Sequence, residues 1–128
     1  MSYYQGRDRR KPTGGTLHHF REKRKFELGS APTETSLGTG EEIKNISRSY
    51  GGNVKLRLDE AVYANVIDPK TKVAKKVKIT KVKTNPSNVD YSRRGVITKG
   101  AIIETELGDA RVSSRPGQDG VLNAVLMK

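Results

Sequence analysis

Short stretches of alternating apolar and polar residues run through residues 47–128. Val54–Ile67 is rich in Val and Leu, and Lys72–Thr84 places Val and Ile among lysines. This two-residue period, with no helical repeat, predicts β-strands. Further predicted strands are Val96–Thr98, Ala101–Leu107, Ala110–Arg115 and Val121–Met127.

Turn-forming residues separate these strands. Asp68–Thr71 places Pro at a favoured turn position, and Gly108-Asp109 resembles a two-residue hairpin turn. Asn85–Asn88 and Pro116–Gly120 are predicted loops. Several short strands joined by turns are typical of an all-β fold, either a small barrel or a sandwich. We predict a small β-barrel body over residues 47–128.

The first 30 residues differ from this body because they carry eight positive charges, three negative ones and few apolar side chains. Lys11–Gly15 contains one Pro and two Gly, which interrupt regular elements. We predict an extended basic arm over residues 1–30 that does not fold alone. A short helix over Thr16–Leu28 is a further possibility, and residues 31–46 are predicted to be a connector loop.

The charge of the whole chain points to a polyanionic partner. Lys and Arg number 25 against 14 Asp and Glu, which gives a net charge of +11. Nucleic acid and an acidic membrane surface both suit such a charge. No apolar run is long enough to span a bilayer, and no secretory segment follows Met1. The chain has no Cys, which excludes disulfides, thiolate zinc sites and a Cys nucleophile.

The arm is the first candidate for RNA contact. Arg presents a planar fork of donors to phosphate oxygens, Gly allows the backbone to approach a phosphate, and Tyr3 and Tyr4 suit stacking on unpaired bases. The alternative is a solvated tail that serves solubility. The predicted contacts in the arm are Arg7, Arg9, Arg10, Lys11, Gly14, Gly15, Arg21, Lys23, Arg24 and Lys25.

The second candidate is a lysine-rich strand, in which seven lysines fall between Lys70 and Lys83 without an acid. Lys76 and Lys78 share one face, and the alternation slips near Lys75-Lys76, which predicts a bulge. Such a strand forms either a ridge facing phosphates or an edge that lysines protect from aggregation.

The remaining basic candidates are short. Gly51-Gly52-Asn53 forms either an anion-binding nest or an ordinary turn, and the turn is favoured. In the predicted body as a whole, the cations that we predict to contact RNA are Arg48, Lys55, Arg57, Lys76, Lys78, Arg93 and Arg94.

Features that suggest catalysis are few. His18 and His19 are adjacent, so their side chains diverge, and no third metal ligand lies near them in sequence. Glu104 and Glu106 would share a strand face and resemble an acid/base pair, although exposed strand carboxylates are usually solvated. No phosphate-binding loop or nucleophile motif occurs. We therefore expect no enzyme activity, metal or cofactor.

The chain also resembles a known family, the eighth small-subunit ribosomal protein of the archaeal and eukaryotic type. The resemblance covers nearly the whole chain in order. The segments that carry it are Gln5–Gly15, Lys23–Gly29, Pro32–Thr35, Gly51–Lys55, Ala64–Thr71, Ile97–Thr105 and Arg115–Gly120.

This resemblance implies a structural constituent of the small (30S) ribosomal subunit, located in the cytoplasm within the ribosome. It implies a β-barrel body with an amino-terminal extension threaded into RNA, and no catalytic residues. The implied partners are 16S ribosomal RNA and other small-subunit proteins, with no membrane and no small-molecule substrate. The length of 128 residues is similar to that of archaeal members. From the residues alone, a free-standing RNA chaperone or regulator and an RNA-processing enzyme that uses Glu104 and Glu106 stay open as alternatives.

Overall fold

Short strands dominate the computed structural model, which describes residues 2–127. In chain order the elements are β1 (Tyr3–Tyr4), a 3-10 turn (Lys25–Glu27), β2 (Leu28–Gly29), β3 (Ser36–Leu37), β4 (Ile43–Arg48), a 3-10 turn (Tyr50–Gly52), β5 (Val54–Ala61), β6 (Tyr63–Ile67), β7 (Ala74–Thr84), α1 (Val89–Arg94), β8 (Ile102–Thr105), β9 (Gly108–Val112), α2 (Pro116–Asp119) and β10 (Asn123–Leu126). The chain divides into two compact units, residues 1–32 and 33–128.

A closed barrel forms the centre of the second unit, with strand order β10-β6-β7-β8-β9 and β9 paired back to β10. Only the β6–β10 pair is parallel among these five strands. Side chains alternate between the interior and the surface, so valines and isoleucines of β7 are buried while its lysines are exposed. Ala64, Ala110 and Ala124 also point inward, and small interior residues allow so narrow a barrel to close. The prediction of an all-β fold with a small barrel is confirmed.

A three-stranded sheet, ordered β3-β5-β4, lies within the same unit. β5 is followed after one residue by β6, so the chain passes from this sheet directly into the barrel. Leu58 of β5 is buried in the core, and its carbonyl oxygen accepts a hydrogen bond of 2.6 Å from the Thr35 hydroxyl. Residues 31–46 are therefore not a continuous loop, because they contain β3 and the first part of β4.

Several predicted local elements differ from those observed. The β8–β9 hairpin turns at Glu106-Leu107 rather than Gly108-Asp109, since Thr105 pairs with Gly108. Val96–Thr98 is not a strand, and the predicted Pro116–Gly120 loop contains α2. The lysine-rich strand has no bulge at Lys75-Lys76, and its irregularities lie farther along, where β7 pairs with β8.

The first unit contains a few backbone pairings. β1 pairs antiparallel with β2, and an isolated bridge joins Arg10 to Thr16. The possible helix over Thr16–Leu28 is absent, and only Lys25–Glu27 forms a 3-10 turn there. Within residues 2–32 no side chain is buried, so this unit has no apolar core of its own.

None of the helices in residues 2–127 has the length and apolar character that a membrane crossing requires.

Candidate nucleic-acid interface

Cations of the arm surround the ring of Tyr4. The Arg9 guanidinium lies 5.2 Å from the ring centroid, and the Lys23 ammonium lies 5.7 Å from it. Cation–π contacts of this kind orient a cation without neutralising its charge. Arg9 and Lys23 therefore remain available to an anion, whereas Tyr4 is half-buried by them.

A tight loop presents Lys11 at the surface. The Gly14 amide donates to the Lys11 carbonyl at 2.9 Å, and the Lys11 amide donates to the Gly15 carbonyl at 2.8 Å. Gly14 has φ +86°, a conformation that favours glycine. The Arg10 guanidinium donates to the Gly14 carbonyl at 3.0 Å, so Arg10 stabilises the loop and keeps its charge.

Arg21, in contrast, is already paired within the arm. Its guanidinium donates to the Glu27 carboxylate, and that hydrogen bond, together with one from the Arg24 amide, lowers the pKa of Glu27. Phosphate contact by Arg21 would have to compete with this carboxylate. Arg7, Lys11, Arg24 and Lys25 are exposed, and none has a carboxylate within 4.0 Å among residues 2–127.

The lysines of β7 lie on the outer surface of the barrel. Lys76 and Lys78 are exposed while Val77 and Ile79 between and beside them are buried. β7 pairs with β6 over residues 74–78 and with β8 over residues 79–84, so among the described strands the segment with Lys76 and Lys78 has a partner on one side only. For these lysines both interpretations stay open, a ridge that faces phosphates and protection of a strand edge.

The β4–β5 hairpin distributes its cations over two faces. Lys55 and Arg57 lie on the same face of β5, whereas Arg48 lies opposite Val54 on the other. The Lys55 ammonium donates to the Gln118 amide oxygen at 3.1 Å. The glycine loop at the hairpin tip is a 3-10 turn with Gly51 and Gly52 at positive φ, so the favoured interpretation as a turn describes its backbone.

Both arginines of α1 are ion-paired. Arg93 contacts Asp90 at 2.6 Å, and Arg94 contacts Asp90 at 3.0 Å and Glu34 at 2.9 Å. The hydrogen bond that the Arg94 guanidinium donates to the Glu34 carboxylate raises the pKa of Arg94. Sequence reasoning missed this pairing because Glu34 and Arg94 are distant along the chain.

The features that suggested catalysis do not converge. Glu104 lies in β8 opposite Asp109 and Lys81, whereas Glu106 lies in the turn, so the two glutamates do not form a pair on one strand. His18 and His19 are exposed in the arm. Within the described residues no three acidic or histidine side chains come together as metal ligands.

Comparison with known proteins gives one consistent result. The family model described as ribosomal protein S8e matches residues 4–127. A protein of Sulfolobus acidocaldarius named small ribosomal subunit protein eS8 is 59% identical over 128 residues, covering 100% of this chain and 99% of its own length. A protein of the same name from Sulfurisphaera tokodaii is 57% identical and covers 100% of this chain and 99% of its own length. Another from Picrophilus torridus is 53% identical and covers 99% of this chain and 100% of its own length. The chain therefore belongs to the ribosomal protein S8e family.

Proposed function

We propose that this chain binds 16S ribosomal RNA through two sets of cations, one on the arm and one on the barrel body. The observation that carries the proposal is that exposed cations within residues 2–127, such as Lys11, Lys76 and Lys78, have no carboxylate within 4.0 Å, in a chain with a net charge of +11. Such cations gain free energy when they displace counterions from a phosphate backbone.

Family membership fixes the wider role. The chain is a structural constituent of the small ribosomal subunit that supports translation, and it is not an enzyme. Its partners are ribosomal RNA and other ribosomal proteins, and its location is the ribosome in the cytoplasm.

The arm supplies the first set of contacts. Residues 2–32 bury no side chain, so the arm has little apolar free energy to offset its ordering entropy. Phosphate neutralisation supplies the missing stabilisation when the arm enters RNA. The proposed arm contacts are Arg7, Arg9, Arg10, Lys11, Gly14, Gly15, Lys23, Arg24 and Lys25, with Arg21 weaker because of Glu27.

The body supplies the second set. Lys76 and Lys78 on the barrel surface rank first, followed by Arg48, Lys55 and Arg57 on the hairpin. Arg93 and Arg94 rank last because Asp90 and Glu34 already offset much of their charge.

The salt dependence of RNA binding tests the arm. Replacing Arg7, Arg9, Arg10 and Lys11 together with Ala should weaken binding to 16S RNA and lower the magnitude of the slope of log K against log salt by about 3, since each phosphate contact contributes about 0.7–0.9. A control with the three arginines changed to Lys keeps every charge and should keep the slope. An unchanged slope in the Ala variant would exclude the arm as an electrostatic contact.

A further inference from the structure

We propose that the outer face of β10, β6 and β7 holds one unstacked nucleotide of single-stranded RNA. The residues that would hold it are Tyr63, Asn65, Lys76, Lys78 and Asn123. We call this group the nucleotide face. The inference rests on the proposed RNA-binding function and adds to it the form of RNA that the barrel recognises.

Strand register brings the five side chains together. Tyr63 lies directly opposite Lys78, and Asn65 lies opposite Lys76 on one side and Asn123 on the other. The intervening Ala64 of β6 is buried, so Tyr63 and Asn65 both point away from the barrel interior. Directly opposed side chains on one face of a sheet have Cβ atoms about 5 Å apart, a spacing that one nucleotide can bridge.

Tyr63 provides an aromatic surface for a base. Its side chain is 40% exposed at the start of β6, and the Lys76 ammonium lies 4.6 Å from the ring centroid. When RNA binds, Lys76 can exchange the ring for a phosphate oxygen, which frees the ring to stack on a base. Stacking between aromatic side chains and bases is the usual means by which small barrels hold single strands.

Asn65 and Asn123 provide polar recognition. The Asn65 amide nitrogen donates to the Asn123 amide oxygen at 3.0 Å. This bond leaves the oxygen of Asn65 and the nitrogen of Asn123 outside the pair, one acceptor beside one donor. Every base presents a donor next to an acceptor on an edge, so such a pair complements a base that lies flat against Tyr63.

The electrostatics of the face favour a phosphate. Among residues 2–127 neither Lys76 nor Lys78 has a carboxylate within 4.0 Å, whereas Lys83 farther along β7 contacts Asp109 at 2.7 Å. An aromatic ring, an amide pair and two free ammonium groups match the base, the base edge and the phosphates of one nucleotide. In a duplex the base faces are stacked and hidden, so a single strand fits this face better.

Binding of oligonucleotides to the full chain tests the proposal. Fluorescence anisotropy would compare a labelled single-stranded RNA of about ten nucleotides, within the site size of small barrels, with a duplex of equal phosphate number. Tyr63→Leu should lower single-strand affinity about 5- to 100-fold, as expected for loss of one stacked base, and should leave duplex affinity and the salt slope unchanged. Tyr63→Phe keeps the ring and should bind like the wild type.

Asn65→Thr provides a second variant that strands tolerate well. It should lower single-strand affinity about fivefold or more, because Thr lacks the amide oxygen that accepts from a base. The thermal midpoint measured by circular dichroism should change little, because the strand propensity of Thr offsets the loss of the exposed hydrogen bond to Asn123. If Tyr63→Leu unfolds the chain, Asn65→Thr alone decides the outcome.

Equal effects of Tyr63→Leu on single strands and duplexes, or no effect of either variant, would overturn the nucleotide face while 16S binding by the arm stays intact. Tyr63→Leu could also bind RNA like the wild type and yet be retained less well on salt-washed small subunits. That result would overturn the nucleotide face and assign the surface to contact with a neighbouring protein instead. A wild-type chain that binds neither oligonucleotide nor 16S RNA would overturn the proposed function as well.

Discussion

At the scale of single residues, Gly120 leaves little room for a side chain. It ends α2 with φ +68°, and a Cβ placed there would lie 2.6 Å from the Leu56 Cβ and 3.3 Å from the Leu56 carbonyl oxygen. Gly120→Ala should therefore combine backbone strain with a clash and lower the free energy of unfolding by about 2–5 kcal/mol in urea denaturation.

A matched control separates these two causes. Gly95 ends α1 with φ +69°, but a Cβ placed there meets nothing within 4 Å. Gly95→Ala should cost only the strain of the left-handed conformation, about 1–2 kcal/mol. Equal losses for the two variants would mean that contact between α2 and β5 does not constrain Gly120.

Asn85 is a buried polar residue on which a loop depends. Its amide nitrogen donates to the Val96 carbonyl at 2.9 Å, and its amide oxygen accepts from the Ser87 amide and the Thr98 hydroxyl, each at 3.0 Å. Asn85→Ala would leave these groups unpaired, so we expect a loss of about 2–4 kcal/mol in urea denaturation. Asn53→Ala removes one exposed hydrogen bond to Tyr50 and should cost clearly less. Similar costs at both positions would contradict the role assigned to the buried network.

Glu27 gives the arm a testable dependence on pH. Its pKa lies below the ordinary value of 4.5 chiefly because the Arg21 side chain donates to its carboxylate. A lowered pKa means that the pair stabilises the arm above the ordinary value and is lost as pH falls through the lowered value. In a carbon-detected NMR titration, Arg21→Gln should raise the midpoint of Glu27 towards 4.5. Equal midpoints in the two proteins would show that the pair does not form in solution.

At the scale of elements, the sequence predicts strands well where one face of the strand is buried. β6 and β7 alternate clearly because the barrel buries every second side chain. β4 shows no such pattern because most of its residues are exposed, including Ile46 at 68%. The sequence predicts the β8–β9 turn two residues too late, because Gly108-Asp109 is a more typical turn pair than Glu106-Leu107, although Gly108 begins β9.

The boundary residues of helix α1 are recognisable in the sequence, although the pattern of apolar and polar residues predicts no helix there. Asn88 accepts a hydrogen bond from the Asp90 amide as an N-cap, and Gly95 ends the helix in the left-handed conformation. Both are common boundary residues of helices. The cations of the candidate site are also visible in the sequence, whereas ion pairs between residues distant along the chain are not. Only the structure distinguishes Arg94, which pairs with Glu34, from Lys76, which has no carboxylate within 4.0 Å among residues 2–127.

This difference in ion pairing leads to a prediction that compares the cations of α1 with those of β7. Lys76→Ala with Lys78→Ala removes two cations that have no carboxylate partner among residues 2–127, and should lower the magnitude of the salt slope for 16S binding by about 1.4–1.8. Arg93→Ala with Arg94→Ala removes cations already paired with Asp90 and Glu34, and should lower it by less than half as much. Filter binding at several salt concentrations measures both. A larger change for the α1 variant would reverse the ranking of the body contacts.

At the scale of the whole molecule, apolar burial is confined to one of the two units. The core cluster, which includes Leu58, Ile79, Ile97 and Ile103, lies within residues 33–128. The first unit has strand pairings and one ion pair but no buried side chain among residues 2–32. Composition alone indicated this difference, because both charge and apolar content change near residue 30. That the arm cannot fold alone stays a prediction.

Hydrogen exchange of the full chain, measured without and with 16S RNA, tests that prediction. Without RNA, amides of residues 2–32 should exchange close to the rate of an unstructured chain, because few buried contacts oppose their opening, while β6–β10 are protected. Adding 16S RNA should slow exchange in the arm by at least about tenfold, since phosphate contacts order it. An RNA that lacks small-subunit sequences serves as the control for nonspecific binding. Protection of the free arm equal to that of the barrel would mean that backbone pairings such as β1–β2 suffice to fold it, and that RNA binding does not supply the free energy of its ordering.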